Sequence, residues 1–114
     1  MTALSTGLAV VLAVFFLGLG TAKLLAVAPM RKAAAHFGLS ANAYRSIGAL
    51  EIAGAVGLLL GLGLHLLGAL AGVGLLLLLG GALVSHIRVG DRLQDASAAI
   101  VVGMLVVIML AVQW

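Results

Sequence analysis

The stretch TALSTGLAVVLAVFFLGLGTA, residues 2–22, contains no ionisable side chain. As a helix rising 1.5 Å per residue it is roughly 31 Å long, enough to cross the hydrocarbon core of a bilayer. The first span is therefore set from about Leu4 to Ala28, with Pro29 marking its end, because proline disfavours helix at the residue before it. A cleaved leader is the weaker reading: no positive segment precedes the run, and it is too long for a typical leader core. Working outward, three more apolar stretches follow, about Tyr44–Leu64, Leu66–Ser85 and Ala96–Trp114. Ser40 or Asn42 is placed to cap the second helix, and Asp95 or Ser97 the fourth. Only a brief turn around Gly63, Leu64 and His65 separates the second and third, so these two form an antiparallel hairpin.

Composition agrees with a chain built for lipid. Hydrophobic residues make up 65% of the 114, against 8% charged, where soluble domains carry roughly a quarter charged. A soluble domain of this size leaves too much surface exposed to hide that much apolar material. The expected fold is all-α: an integral membrane four-helix bundle, one domain, with a short interfacial helix between helices 1 and 2. That short helix is drawn from Met30–Phe37, where Met30, Ala33, Ala34 and Phe37 share one face, Lys32 and His36 another, and Gly38 closes the turn. An ordinary polar loop is the alternative for this segment.

All six basic residues, Lys23, Arg31, Lys32, Arg45, Arg88 and Arg92, gather at the end of the bundle that carries the first and third connections. The positive-inside rule then puts those connections in the cytoplasm and both termini outside, in the plasma membrane. So few basic residues, flanking apolar spans, fit anchoring rather than nucleic-acid binding. The absence of cysteine excludes thiol–disulfide chemistry and thiolate metal or iron–sulfur sites on this chain.

Chemistry concentrates in Lys23, Glu51 and His86. Lys23 lies six residues before Pro29 and Glu51 six residues past Arg45, so both sit roughly 9 Å from the same bundle end. A lone ionised side chain deep in a span costs about 2.5–3.5 kcal/mol, so a Lys23–Glu51 pair is expected. Such a pair is either part of a functional polar pocket or a clamp that fixes helix order. Tyr44, Arg45 and His86 complete the candidate ligand site. His65 reads as a turn residue at the opposite face, and His36 as facing water or headgroups. No pair of histidines at one depth suits a haem, no His and carboxylate cluster suggests a metal, and no catalytic centre is recognisable. The glycines Gly54, Gly57, Gly61, Gly68 and Gly72 are at small-xxx-small spacing, the pattern that lets membrane helices approach closely, although a chain with 16 glycines produces some such pairs by chance.

Three segments, FFLGLGTAKL (Phe15–Leu24), YRSIGALEIAGAVGLLLGL (Tyr44–Leu62) and SHIRVGD (Ser85–Asp91), resemble the DoxX-like family of small four-span membrane proteins. That resemblance implies a bundle in the membrane and one of several roles. The broader family takes its name from a membrane subunit of a thiosulfate:quinone oxidoreductase, and similar proteins include an assembly chaperone for nicotinic receptors. The first expectation is thus a binding module for a lipophilic molecule such as a quinone, or a companion of a membrane oxidoreductase, with no cofactor held by this chain itself. The alternative is a structural subunit or assembly factor that docks another membrane protein or a second copy of itself. A minor alternative is a proton-coupled transporter working through Glu51, from whose pattern the shallow carboxylate and one-sided orientation depart.

Overall fold

Five helices and one 3-10 turn account for the chain in a computed structural model that describes residues 3–112. Helix α1 spans Ala3–Leu24, α2 Ala28–His36, α3 Ala41–Leu60, α4 His65–Arg88 and α5 Ser97–Val112, with the 3-10 turn Leu93–Ala96 leading into α5. Four segments are long and apolar enough to cross a membrane: α1, α3, α4, and α5 together with its leading turn. They pack in the ring α1–α3–α4–α5, each touching its two neighbours, and among the described residues the backbones of neither diagonal pair approach each other. The bundle measures 40 × 28 × 17 Å. The sequence-based end of the fourth span, Trp114, falls outside the described residues.

Helix ends differ from the sequence reading in an instructive way. α1 stops at Leu24 rather than continuing to about Ala28. The amide of Ala26 donates to the Lys23 carbonyl at 3.0 Å and that of Val27 to the Ala22 carbonyl at 3.3 Å, a Schellman closure. It requires a left-handed residue, and Ala26 supplies it with φ 51°. Alanine costs about 1 kcal/mol more than glycine in that conformation. Pro29 instead sits in the first turn of α2, where its missing N–H is no loss. The same closure ends α2 at Gly38 (φ 71°) and α4 at Gly90 (φ 74°). Ser40 caps α3, its Oγ accepting from the Ala43 amide at 3.0 Å. Asp95 accepts from the Arg92 amide at 2.9 Å ahead of the 3-10 turn.

The buried core is gathered in the half of the bundle away from α2. Leu12, Ala13, Phe16, Ala55, Leu58, Leu75, Val106 and Met109 interlock there. Outward-facing positions are equally apolar: Val14, Leu70 and Leu77 are all more than half exposed. In water that surface would be a liability, whereas lipid tails solvate it at no cost.

Glycines set the helix spacings. Along α3 and α4, a β-carbon on Gly57 would meet the Ala71 side chain at 2.7 Å, one on Gly54 the Leu75 side chain at 2.6 Å, and one on Gly61 the backbone of Gly68. Gly72 faces α5 instead, against Leu110 and Met109. The closest crossing of α1 and α3 rests on two glycines that spacing within one helix did not single out. A β-carbon on Gly20 would lie 2.7 Å from the Gly48 carbonyl oxygen, and one on Gly48 2.7 Å from that of Gly20.

Candidate functional site

Gly20 stands three residues before Lys23, and Gly48 three residues before Glu51. The two glycines are staggered across the crossing: Gly20 lies against Ile52 and Gly48 against Lys23, so Lys23 and Glu51 fall within the turns that face each other. The Lys23 ammonium accordingly donates a hydrogen bond to Glu51 Oε1 and forms an ion pair with it. Glu51 is 3% exposed. Its other oxygen, Oε2, is buried with no hydrogen-bond donor among the described residues. Lys23 also lies over the Tyr44 ring, 4.9 Å from the centroid, a cation–π contact. One helical residue is about 100° of rotation, so Tyr44 turns inward while Arg45 points away. Arg45 is exposed and donates to the Asn42 side chain at 3.2 Å, and it takes no part in the site.

These groups line a cavity of about 560 Å³ at the α2 end of the bundle. Its walls come from every helix: Phe15, Phe16 and Leu19 of α1, Ile47 of α3, Leu78 and Ala82 of α4, Ala99 and Val102 of α5. Pro29, Met30 and Ala33 of α2, with Phe37, form its roof. Against this apolar lining the polar members are few: Lys23, Tyr44, Glu51, Ser85 and His86. Volume and lining are those of a small-molecule site, mostly hydrophobic with a handful of convergent polar groups.

His86 sits on the far side from the ion pair, in the last turn of α4. The closure at Gly90 curls Asp91 back, its amide bonded to the His86 carbonyl at 2.9 Å. There the Asp91 carboxylate accepts from His86 Nδ1 at 2.6 Å and from His36 Nε2 at 2.8 and 3.0 Å. A carboxylate only accepts, so both nitrogens carry their hydrogens. In its neutral form His86 then has its lone pair on Nε2, the orientation in which an imidazole accepts a hydrogen bond. The hydrogen bond from His86 is the main cause that holds the Asp91 carboxyl below the ordinary carboxylate range; desolvation opposes it and the bond from His36 assists. Phe37 meets the His86 ring edge-on, centroids 5.0 Å apart.

Sequence reading gave His36 to water or headgroups. The ring is half exposed, yet it is bonded across 55 residues to Asp91, a contact for which no local pattern exists. His65 opens α4 at the opposite end, far from the cavity lining. Among the described residues no group of three or more His, Asp or Glu forms a metal-holding set.

The arrangement defines a class: a small multi-pass membrane protein with an ion pair inside its helices and a partly open, mostly apolar cavity beside it. A model of the DoxX-like family matches residues 7–110, nearly the whole chain, and the protein belongs to that family. No curated protein and no solved structure matches it.

Proposed function

We propose that the protein binds a lipophilic small molecule, of which a quinone is the model, in the cavity at the α2 end of the bundle. The observation that carries this reading is the lining: apolar walls from five helices around Lys23, Tyr44, Glu51 and His86. For a ring or tail already dissolved in lipid the walls supply close packing contacts rather than a hydrophobic gain, so selectivity rests on the polar members. The polar members select the head: Tyr44 and the lysine offer donors, and His86 Nε2 an acceptor. Glu51 Oε2, buried without a donor among the described residues, favours a head that brings a donor of its own. On this reading the chain holds or positions the molecule beside a membrane oxidoreductase, with the basic connections in the cytoplasm and both termini outside the plasma membrane.

The test is a titration of the purified protein with a short-chain quinone and its quinol. Saturable binding is expected, weakened at least tenfold by Gly81→Phe. Gly81 lines the cavity and has open space over its α-carbon, so the ring fills the site without a backbone clash. Absence of saturation, or binding indifferent to Gly81→Phe, overturns the reading.

A second reading, a structural subunit or assembly factor, is favoured by the open ground over Gly74 and Gly80, where nothing lies within 4 Å of an added β-carbon. Grooves along α3–α4 and α4–α5 include these positions. Purification from native membranes with a stoichiometric partner, lost on Gly74→Leu, would establish this reading instead.

A further inference from the structure

The cavity roof is attached unevenly. The α2 backbone packs against α1 and α3, and among the described residues it approaches neither α4 nor α5. On that open side the roof is held by side chains alone: His36 on Asp91, and Phe37 edge-on against His86. Its two junctions, Ala26 and Gly38, are both left-handed residues, one of them an alanine held in an unfavourable conformation. Four cavity-lining positions, Pro29, Met30, Ala33 and Phe37, lie between those junctions. Ala34 on the inner face of the segment is buried, but among the described residues the cluster that interlocks in the lipid-crossing core comes only from the four long helices.

We propose that α2 is a hinged lid over the cavity, turning about Ala26 and Gly38, and that Asp91 is the latch, joining His36 on the lid to His86 on the bundle. The latch closes on the side of α4 and α5. The cavity is already partly open along the helices, and release there widens it toward the membrane surface at the charged end, while α1, α3 and the Lys23–Glu51 pair stay in place. His86 belongs to both the latch and the cavity wall, so a head group that bonds its Nε2 is sensed at the ring that Asp91 holds. This extends the ligand-binding reading by assigning its access route, but the lid's movement does not depend on any ligand and is measured without one.

The chain has no cysteine, so a single introduced thiol reports on one place. Ala33→Cys puts that thiol on the cavity side of the lid. Its alkylation by a water-soluble maleimide, in detergent at neutral pH, should be slow. It should speed roughly tenfold when Asp91→Asn or His36→Gln is added, the effect of removing one or two hydrogen bonds to a charged group. Ala55→Cys, in the buried core, checks the fold and should stay unreactive in the same backgrounds. An unchanged Ala33→Cys rate in both latch variants overturns the lid. So does an acceleration shared by Ala55→Cys, which means general loosening. The ligand arm is separate: association of a short-chain quinone should quicken in Asp91→Asn. A lid that opens on a protein binding no quinone would leave the latch standing and sink the ligand. A quinone that binds with unchanged thiol rates would do the reverse.

Discussion

The two ends of this bundle are built on opposite principles. At the hairpin end, α3 and α4 touch backbone to backbone at Gly61 and Gly68, and the large buried side chains fill the space between all four helices. At the other end, α1 and α3 are equally close at Gly20 and Gly48, but the gap toward α4 and α5 holds a cavity roofed by α2. One end uses small residues to exclude space. The other uses them to bring two ionised groups together beside space that is kept. The lesson is that close packing and a cavity are not alternatives here: the Gly20–Gly48 crossing sets a charged pair at the edge of a void.

That contrast breaks most easily at the pair itself. Removing one member strands a buried charge, so Lys23→Met should cost about 3 kcal/mol. Glu51→Gln should also destabilise, and the double variant should be less unstable than the two losses summed, by on the order of 1 kcal/mol or more. Denaturant or thermal unfolding in detergent decides it, and strict additivity would remove the pair from the account. Next in size, Gly48→Ala forces a methyl against a carbonyl oxygen and should cost about 1–3 kcal/mol. Gly80→Ala, with open space above it, should be neutral or slightly stabilising, since alanine is the better helix former. Equal effects at the two sites would dissolve the distinction between them.

The smallest expected effect is that of acid on the latch. Asp91 faces His86 from α4 and His36 from α2, and its carboxyl is held below the usual range. A lowered folded value means the contribution is complete above the ordinary carboxylate pKa of about 3.9 and fades as pH falls through the lowered value. The Tm difference between the protein and Asp91→Asn should therefore be constant from about pH 5 upward, as far as Asp91 itself is concerned, and shrink below about pH 4. A difference that grows in acid would contradict the bond pattern.

How much of this the sequence disclosed varies from place to place for physical reasons. The four spans were legible because uncharged length is itself the signal. Lys23 and Glu51 were legible because depth along two helices can be counted from Pro29 and Arg45. The end of α1 was misjudged, since a Schellman closure announces itself by glycine and here Ala26 occupies the left-handed position. Gly20 and Gly48 carry no small-residue spacing within either helix, because their contact is made between α1 and α3, Gly20 against Ile52 and Gly48 against Lys23. Arg45 was grouped with the site by closeness in sequence, where helical rotation carries it to the outside. The latch had no signal at all, because His36 and Asp91 meet only once the α4 end has curled back toward α2.

Chain order gives the ion pair a part in biogenesis. Lys23 leaves the ribosome with α1, before its partner exists, and its long stem near the helix end can reach the headgroups while it waits. Glu51 arrives later, deeper than its short side chain can escape, and needs α1 already in the bilayer. Insertion of the Ala41–Leu60 segment should accordingly be more efficient behind α1 than alone, and Lys23→Met should erase part of that advantage in a translocation assay.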